Sequence, residues 1–473
     1  MPYTRSFAEC LVVALGGISS SVLLQGQANY TAAVKPYNLD IAVTPAAIVF
    51  PETAAQVAGV VKCAVNAGIK VQPRCGGHNY GNFGSSTGEL SVHLDKLRSF
   101  SFEEATGRAT VGGGMLLGEL NENLWNAGQR YLPHGLSFSI GVGGHATVGG
   151  VGITSRPAGL LTDHIVESEV VLANGSIVRA SEKKNRDLFF AIRGAGGSFG
   201  VVTKFIFQSD PAPTSIINYS FAWVTSDAAT RARLLKDWQK WIRDVPIPAE
   251  LSSTLTIAPS VILVAGGFLG TLQQFKALNL TTHFPPPQQT TADVYTSYRN
   301  LSTVWSSQML ESGIALPSSF YAKSLLFNNE TFIPDTAVDQ FFNYLSAADT
   351  GADFWVINFE LGGGKIGALP STATAFPHRD AVFAMLNQGT TTGAVSQTLV
   401  KFLNRLSKIV TDSHPGAAYG GYAGYVDPRE DNDEARTRYW GTNLARLRAV
   451  KKVVDPNDVF HNQQSVPPAG RRP

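Results

Sequence analysis

Three glycine-rich stretches in the first 200 residues each carry a polar side chain that could meet a ligand. They are Arg74 to Gly84 (RCGGHNYGNFG) with His78, Gly141 to Gly152 (GVGGHATVGGVG) with His145, and Arg193 to Val202 (RGAGGSFGVV) with Ser198. A glycine run lets the main chain pass against a bound group and turn its N–H groups toward phosphate oxygens. Singly, each stretch could be a tight turn; together they point to one extended cofactor groove. No run matches G-x-G-x-x-G opening a helix with a ribose-binding acid behind it, which disfavours a Rossmann site. A P-loop is also missing, and no nucleophile elbow for a serine hydrolase is expected. His78, His145 and His164 lack i, i+4 spacing and have no Cys or acid at ligand spacing, so no metal site is expected.

These loops need elements to hold them. Ile41 to Pro51 has the apolar run of a strand. The segment that follows places Ala54, Val57, Val60, Val61 and Val65 on one helical face, with Thr53 as N-cap and Gly68 as stop. Lys70 to Arg74 returns as a strand, so residues 41–74 form a strand–helix–strand unit that delivers the first glycine loop. Strands follow in ATVGGG, ESEVVLANGSIVRAS and VVTKFIFQ, with Asn174-Gly175 as a tight hairpin. Two prolines between Ser209 and Ile216 break this pattern. Beyond them, amphipathic segments such as Ala232 to Val245 alternate with strands such as PSVILVAGGFLG, and a charged helical tail runs to Pro456. No repeat at 20–50 residues is present.

Composition bounds the class. At about 100–200 residues per domain, 473 residues suggest two or three domains. Charged residues make up 16% and aromatics 10%, which excludes an intrinsically disordered chain. Lys plus Arg minus Asp plus Glu is 38 − 36 = +2 with no basic run, so no nucleic acid or membrane partner is expected. The apolar stretch Cys10 to Leu24 is too short and too interrupted to cross ~30 Å of hydrocarbon. It is either a signal h-region behind Arg5 or the first apolar helix of the fold. Three cysteines leave room for one bridge and one free thiol, and six N-x-S/T sequons lean lightly toward secretion.

The runs RCGGHNYG, GVGGHATVGGVG and DLFFAIRGAGGSFGVVTKFIF, with the C-terminal YWGTNLARLRAVKKVVDPNDVFHNQQSVPP, resemble the berberine-bridge-enzyme-like FAD-linked oxidoreductases. These belong to the vanillyl-alcohol-oxidase fold class with a PCMH-type FAD-binding domain, and glucooligosaccharide oxidase looks like a near relative. The resemblance extends from Cys10 to about Pro468. It implies an α+β fold with a two-part FAD-binding domain (1–212), a substrate domain with an antiparallel sheet flanked by helices (213–430), and a C-terminal segment (431–473) that packs back on the FAD domain.

The resemblance also assigns residues. His78 is the expected covalent attachment to FAD, with Arg74, Gly76, Gly77, Asn79 and Gly81 around the cofactor. Val142, Gly143, Gly144, His145, Gly149 and Gly152 would flank it, and Val202 and Asn462 would complete the site. Many relatives carry a second link from a Cys where this chain has Ser137, so FAD is expected to be monocovalent through His78. That loss leans toward a smaller or more enclosed substrate than an oligosaccharide. Cys10 and Cys63 match the family's disulfide positions. If Cys10 belongs to the fold, a start at Met1 leaves no room for a signal peptide, so secreted and cytoplasmic locations both stay open.

The expected reaction transfers a hydride to the flavin while a base takes a hydroxyl proton. The family's tyrosine motif resembles Tyr422 to Asp427 (YAGYVD), which makes Tyr425 the candidate base, helped by a nearby cation or hydrogen-bond acceptor. Glu360, in FWVINFELGGGK, falls where the family places an acidic partner. Strand alternation puts it on one face with Asn358 and Val356, set among Phe354, Trp355 and Phe359 as a substrate wall. Val142 would gate oxygen in the manner of an oxidase. The expected function is an FAD-dependent oxidase acting on an alcohol or heteroatom-adjacent C–H of a small secondary metabolite, with O2 as acceptor and hydrogen peroxide as product. The alternatives are a carbohydrate oxidase forming a lactone and, from another class, a flavin-containing non-redox cyclase or isomerase.

Overall fold

The computed structural model describes residues 6–313 and 315–470; Met1 and Arg5, on which the leader reading leans, lie outside the described residues. The strand–helix–strand unit forms as its apolar spacing requires. Ala47–Val49 and Val71–Arg74 both run parallel to Leu90–His93, which lies between them, while Ala54–Asn66 makes the crossover. The Thr53 hydroxyl accepts the N–H of Gln56 at 3.1 Å, and Gly68 ends the helix at φ +69°. Phe7–Ala14 packs on this helix through Leu11, and a Cys10–Cys63 disulfide joins the two. The N-terminal apolar stretch is therefore helix, turn and a short strand, Val22–Leu23, that pairs with Ala47–Val49. No helix among the described residues is long and apolar enough to cross a membrane.

A second sheet of five antiparallel strands follows, in the order Phe100–Glu103, Arg108–Gly112, Val201–Gln208, Ile165–Val171 and Ile177–Ser181. Gly175, at φ +77°, closes its last hairpin as the Asn-Gly pair predicts. Val111, Phe205 and Phe207 point from this sheet into a core shared with Arg186–Ala195. The C-terminal helices Asn432–Trp440 and Leu444–Val454 return to the same core through Tyr439, Trp440 and Leu447. Fully buried Lys451 fixes that return. Its Nζ donates to the Ser198 carbonyl at 2.6 Å and the Phe460 carbonyl at 2.8 Å, and pairs with Asp455 at 2.7 Å.

Between these segments lies a seven-stranded antiparallel sheet. Its order is Gln289–Tyr295, Ile216–Val224, Val261–Leu269, Thr254–Ala258, Phe354–Leu361, Phe383–Thr391 and Ser319–Phe327. One face is covered by the amphipathic helices Ala228–Asp244, Asp335–Ala347 and Gln397–Asp412 over a core rich in aromatic side chains. The other face turns toward the glycine loops. Two buried arginines stitch the halves together. Arg156 donates to the carbonyls of Leu251, at 2.6 Å, and Gly362, while Arg379 pairs with Asp163 through contacts of 2.8 and 2.7 Å.

Candidate active site

The uncovered face of the large sheet and the three glycine loops enclose a cavity of about 1020 Å³. The first loop enters directly from the end of strand Val71–Arg74, the second begins at helix Val142–Val148, and the third ends helix Arg186–Ala195. Of the seventeen residues assigned from the sequence to FAD or to catalysis, fourteen line the cavity. They are His78, Arg74, Gly76, Gly77, Asn79, Ser137, Gly143, Gly144, His145, Gly152, Val202, Asn462, Tyr425 and Glu360. Gly81, Val142 and Gly149 do not. Gly81 is packed by the Phe83 ring, and Gly149 lies against Phe376 and Tyr422. Val142 is fully buried in the core beneath the loop. Ile140, two residues earlier, is on the wall instead, as are Val148 and Val151.

The glycines divide into two kinds. A Cβ on Gly76 would lie 2.3 Å from the Gly141 nitrogen, one on Gly143 2.4 Å from the Gly113 carbonyl oxygen, and one on Gly152 1.9 Å from that of His134. Those residues are glycine because protein backbone crosses them. Gly144 and Gly197 also line the cavity, but a Cβ there would meet nothing within 4 Å, and neither has a positive φ. No protein atom explains their missing side chains, and the cavity beside them has room for a bound group. These two positions, with Arg74 as a cation in the same wall, fit a large phosphate-bearing cofactor such as FAD.

His78 stands at the edge of this groove. Its Nε2 is 2.9 Å from Ser139 Oγ, which is 3.0 Å from the hydroxyl of buried Ser137. Burial and the neighbouring Arg74 guanidinium lower its pKa to about 4, so the ring is neutral near pH 7. The partly buried His145 accepts the Gly135 N–H on Nε2 at 3.0 Å, and burial lowers it to about 3. The free thiol, Cys75, lies against Gly141 and donates to the Met115 carbonyl at 3.5 Å; burial raises it to about 11.

A line of rings leads from His78 to the opposite wall. Tyr37 sits 4.4 Å from His78 and 6.3 Å from Tyr80, whose ring stacks 5.8 Å from Tyr425. The Tyr425 hydroxyl donates to Glu360 Oε1 at 3.5 Å. Burial pushes Glu360 up to about 7. Burial first, then the Glu360 charge, holds Tyr425 well above the usual phenol range. The expected help for Tyr425 is therefore an acceptor alone, with no cation acting on it. Tyr422 crosses Tyr425 edge-on at 5.0 Å, and its hydroxyl accepts the N–H groups of Gly150 and Val151 at 3.2 and 3.4 Å. This contact fastens the tyrosine segment to the second glycine loop.

Strand alternation holds for Glu360, Asn358 and Val356, which all face the cavity. It also overturns the aromatic wall expected from their neighbours. Trp355 and Phe359 point the other way, into the helix-covered core, and Phe354 is an exposed strand end. The rings beside Glu360 come from distant segments, in Tyr80, Tyr422, Tyr425 and Phe376. Thr254, Thr256, Ser220 and Gln388 also line this face, and only cross-strand register brings them there. Gly196 to Gly200 spells G-x-S-x-G, contrary to the expectation that no elbow run exists. It is no elbow, since Ser198 is buried and accepts the Val466 N–H at 3.1 Å. Among the described residues no group of three or more His, Cys, Asp or Glu side chains is placed to hold a metal ion.

Comparison with known proteins agrees with this geometry. A family model described as FAD binding domain matches residues 45–181, and one described as berberine and berberine like matches 421–467. The chain is 47% identical to the FAD-linked oxidoreductase sorD of Penicillium rubens, over 99% of this chain and 100% of that protein. It is similar to the chitooligosaccharide oxidase of Gibberella zeae at 32% identity, over 94% of this chain and 92% of that protein. Among solved structures, a chitooligosaccharide oxidase superposes with a TM-score of 0.90 at 29% identity, covering 98% of this chain and 100% of the other. The glucooligosaccharide oxidase of Acremonium strictum, which carries a 6-S-cysteinyl, 8α-N1-histidyl FAD, does so at 0.88 and 29%, covering 99% and 100%.

Proposed function

The chain belongs to the berberine-bridge-enzyme-like FAD-linked oxidoreductases, and on that premise we propose that it oxidises an alcohol or heteroatom-adjacent C–H of a small secondary metabolite, with dioxygen as the final acceptor and hydrogen peroxide as product. The observation that carries this reading is the Tyr425–Glu360 pair, buried on the cavity wall opposite the glycine loops. FAD, when bound, supplies the two-electron acceptor for the hydride. His78 would hold it covalently, Gly144 and Gly197 would leave room for it, and Arg74 would face its phosphates. Ser137 has no thiol to offer a second bond. Cys75, turned onto Gly141 and Met115, supports a single link through His78.

Tyr425 and Glu360 divide the proton chemistry. Tyr425 is neutral, since burial and the Glu360 charge both oppose its ionisation. It accepts the proton of the substrate hydroxyl as its own passes to Glu360 Oε1. Glu360, with a pKa of about 7, is matched to receive a proton near neutral pH. Tyr80 and Tyr422 hold the Tyr425 ring between them, which limits its motion during transfer. The oxidase assignment leans on the oxidases the chain resembles, because Val142, the expected oxygen gate, lies off the wall.

A second reading, oxidation of a sugar to its lactone, is favoured by the hydroxyl and amide groups of Ser220, Thr254, Thr256, Asn358 and Gln388 on the same wall. The deciding experiment combines acid precipitation with a substrate screen. Yellow colour should stay with the wild-type precipitate and leave with His78→Ala, and peroxide should appear with a hydroxylated metabolite. Peroxide from oligosaccharides alone would establish the second reading, whereas a colourless protein would overturn both.

A further inference from the structure

We propose that Asn38 and Asn82 are positioning residues that hold the wall carrying His78 in register with the sheet wall, and that covalent attachment of FAD depends on them. The inference rests on the reading that His78 carries FAD, and adds what keeps its surroundings in place. Residues 35–41 follow the short helix Tyr30–Val34 and form a strap between the first glycine loop and the edge strand Ser319–Phe327. The Leu39 N–H donates to the Ser318 carbonyl at 2.9 Å, and the Ser318 N–H to the Tyr37 carbonyl at 3.1 Å.

Two buried amides lock this strap, with Asn38 2% and Asn82 5% exposed. Asn38 Nδ2 donates to the carbonyls of Tyr80 at 3.0 Å and Phe320 at 3.1 Å. Its Oδ1 accepts the N–H groups of Asp40 at 3.1 Å and Phe320 at 3.4 Å. Asn82 Nδ2 donates to the carbonyls of Asn38 at 2.8 Å and Ile41 at 2.9 Å. Its Oδ1 accepts the N–H groups of Tyr37 at 3.0 Å and Asn38 at 3.2 Å. Every partner is a backbone group, so the carbonyls fix where each NH2 stands and the N–H groups where each oxygen stands. No other side chain of this size donates two bonds and accepts two. An ionised Asp has no donor, Leu has no polar atom, and Gln is one carbon longer.

The main chain these amides grip belongs to the residues whose rings bridge the two walls. The Tyr37 ring is centred 4.4 Å from that of His78 and 5.7 Å from that of Phe320. The Tyr80 ring lies 4.9 Å from Phe320 and 5.8 Å from Tyr425. The Asn38 side chain alone reaches strap, glycine loop and sheet edge at once. Removing either amide leaves buried backbone groups without that partner, and it frees the Tyr37 ring to move off His78.

The test uses FAD itself as the probe. Full-length proteins are saturated with FAD, and total flavin and the ratio of covalent to released flavin after acid precipitation are measured per folded chain. In Asn38→Ala and Asn82→Gly the ratio should fall about tenfold while total flavin holds. Asn82 stands at φ +54°, which glycine takes without strain, so Asn82→Gly removes the amide alone and is the reporter should Asn38→Ala not fold. Amide hydrogen exchange should rise over 35–41 and 318–321 and stay at the wild-type level over Val71–Arg74. An unchanged ratio in the folded variants, total and covalent flavin falling together, or exchange rising throughout the chain would overturn the proposal and leave the His78 attachment standing. Covalent flavin in His78→Ala, or none in wild type, would overturn the attachment reading and the proposal with it.

Discussion

The glycine wall and the sheet wall face the same cavity but are built by opposite means. On the glycine side, function comes from what is missing. Gly144 and Gly197 leave open space, and Gly76, Gly143 and Gly152 let backbones cross so tightly that the loops become rigid. On the sheet side, function comes from side chains whose neighbours alter their chemistry. Glu360 and Tyr425 are ordinary residues in water, and burial on this face raises both pKa values. The first wall is shaped by backbone crossings that a side chain at Gly76, Gly143 or Gly152 would disrupt, while the second presents side chains on a fixed frame. Such a division suits an architecture that this chain shares with oligosaccharide oxidases and other FAD-linked oxidoreductases.

Substitutions on each wall test that contrast. Tyr425→Phe removes the hydroxyl proposed to take the substrate proton, and kcat/KM should fall by about 10²–10⁴ with covalent flavin intact, measured by anaerobic flavin reduction with the substrate identified in the screen. Glu360→Gln should lower the rate by about 10². The wild-type rate should rise with pH through about 7, because the carboxylate must be ionised to receive a proton, and this limb should vanish in Glu360→Gln. A limb that persists in the variant would move the base elsewhere.

Within the glycine wall the two kinds of position should separate. Gly144→Val should lower flavin content about tenfold with the protein still soluble and folded, since no protein atom is displaced. Gly76→Ala should lose folded protein as well as flavin, because its Cβ would meet backbone at 2.3 Å. Equal behaviour of the two, judged by flavin content against thermal melting, would erase the distinction. The smallest effect on activity belongs to the disulfide. Replacing Cys10 and Cys63 together by Ser should cost about 2–4 kcal/mol of stability by chemical denaturation, without changing kcat.

Local pattern carried much of this protein. The spacing of Val57, Val60 and Val61, the Thr53 cap and the Asn174-Gly175 turn each specify a structure through neighbours only a few residues away, and all three appear as expected. Alternation placed Asn358 and Glu360 on one face for the same reason, since a strand's period is two whatever surrounds it. Which face meets the cavity is another matter. Phe354, Trp355 and Phe359 lie beside Glu360 in the chain, yet Trp355 and Phe359 belong to the opposite side, and the rings that surround Glu360 arrive from around residues 80, 376 and 422. Val142 and Ile140 show the same limit, two positions apart, one in the core and one on the wall. The sequence by itself determined the loops, the flavin class and the residue types available for chemistry. Only the tertiary structure decided which glycines have open space where a side chain would stand. It also decided that a tyrosine and a glutamate 65 residues apart are joined by a hydrogen bond, because burial and cross-strand register belong to the whole fold.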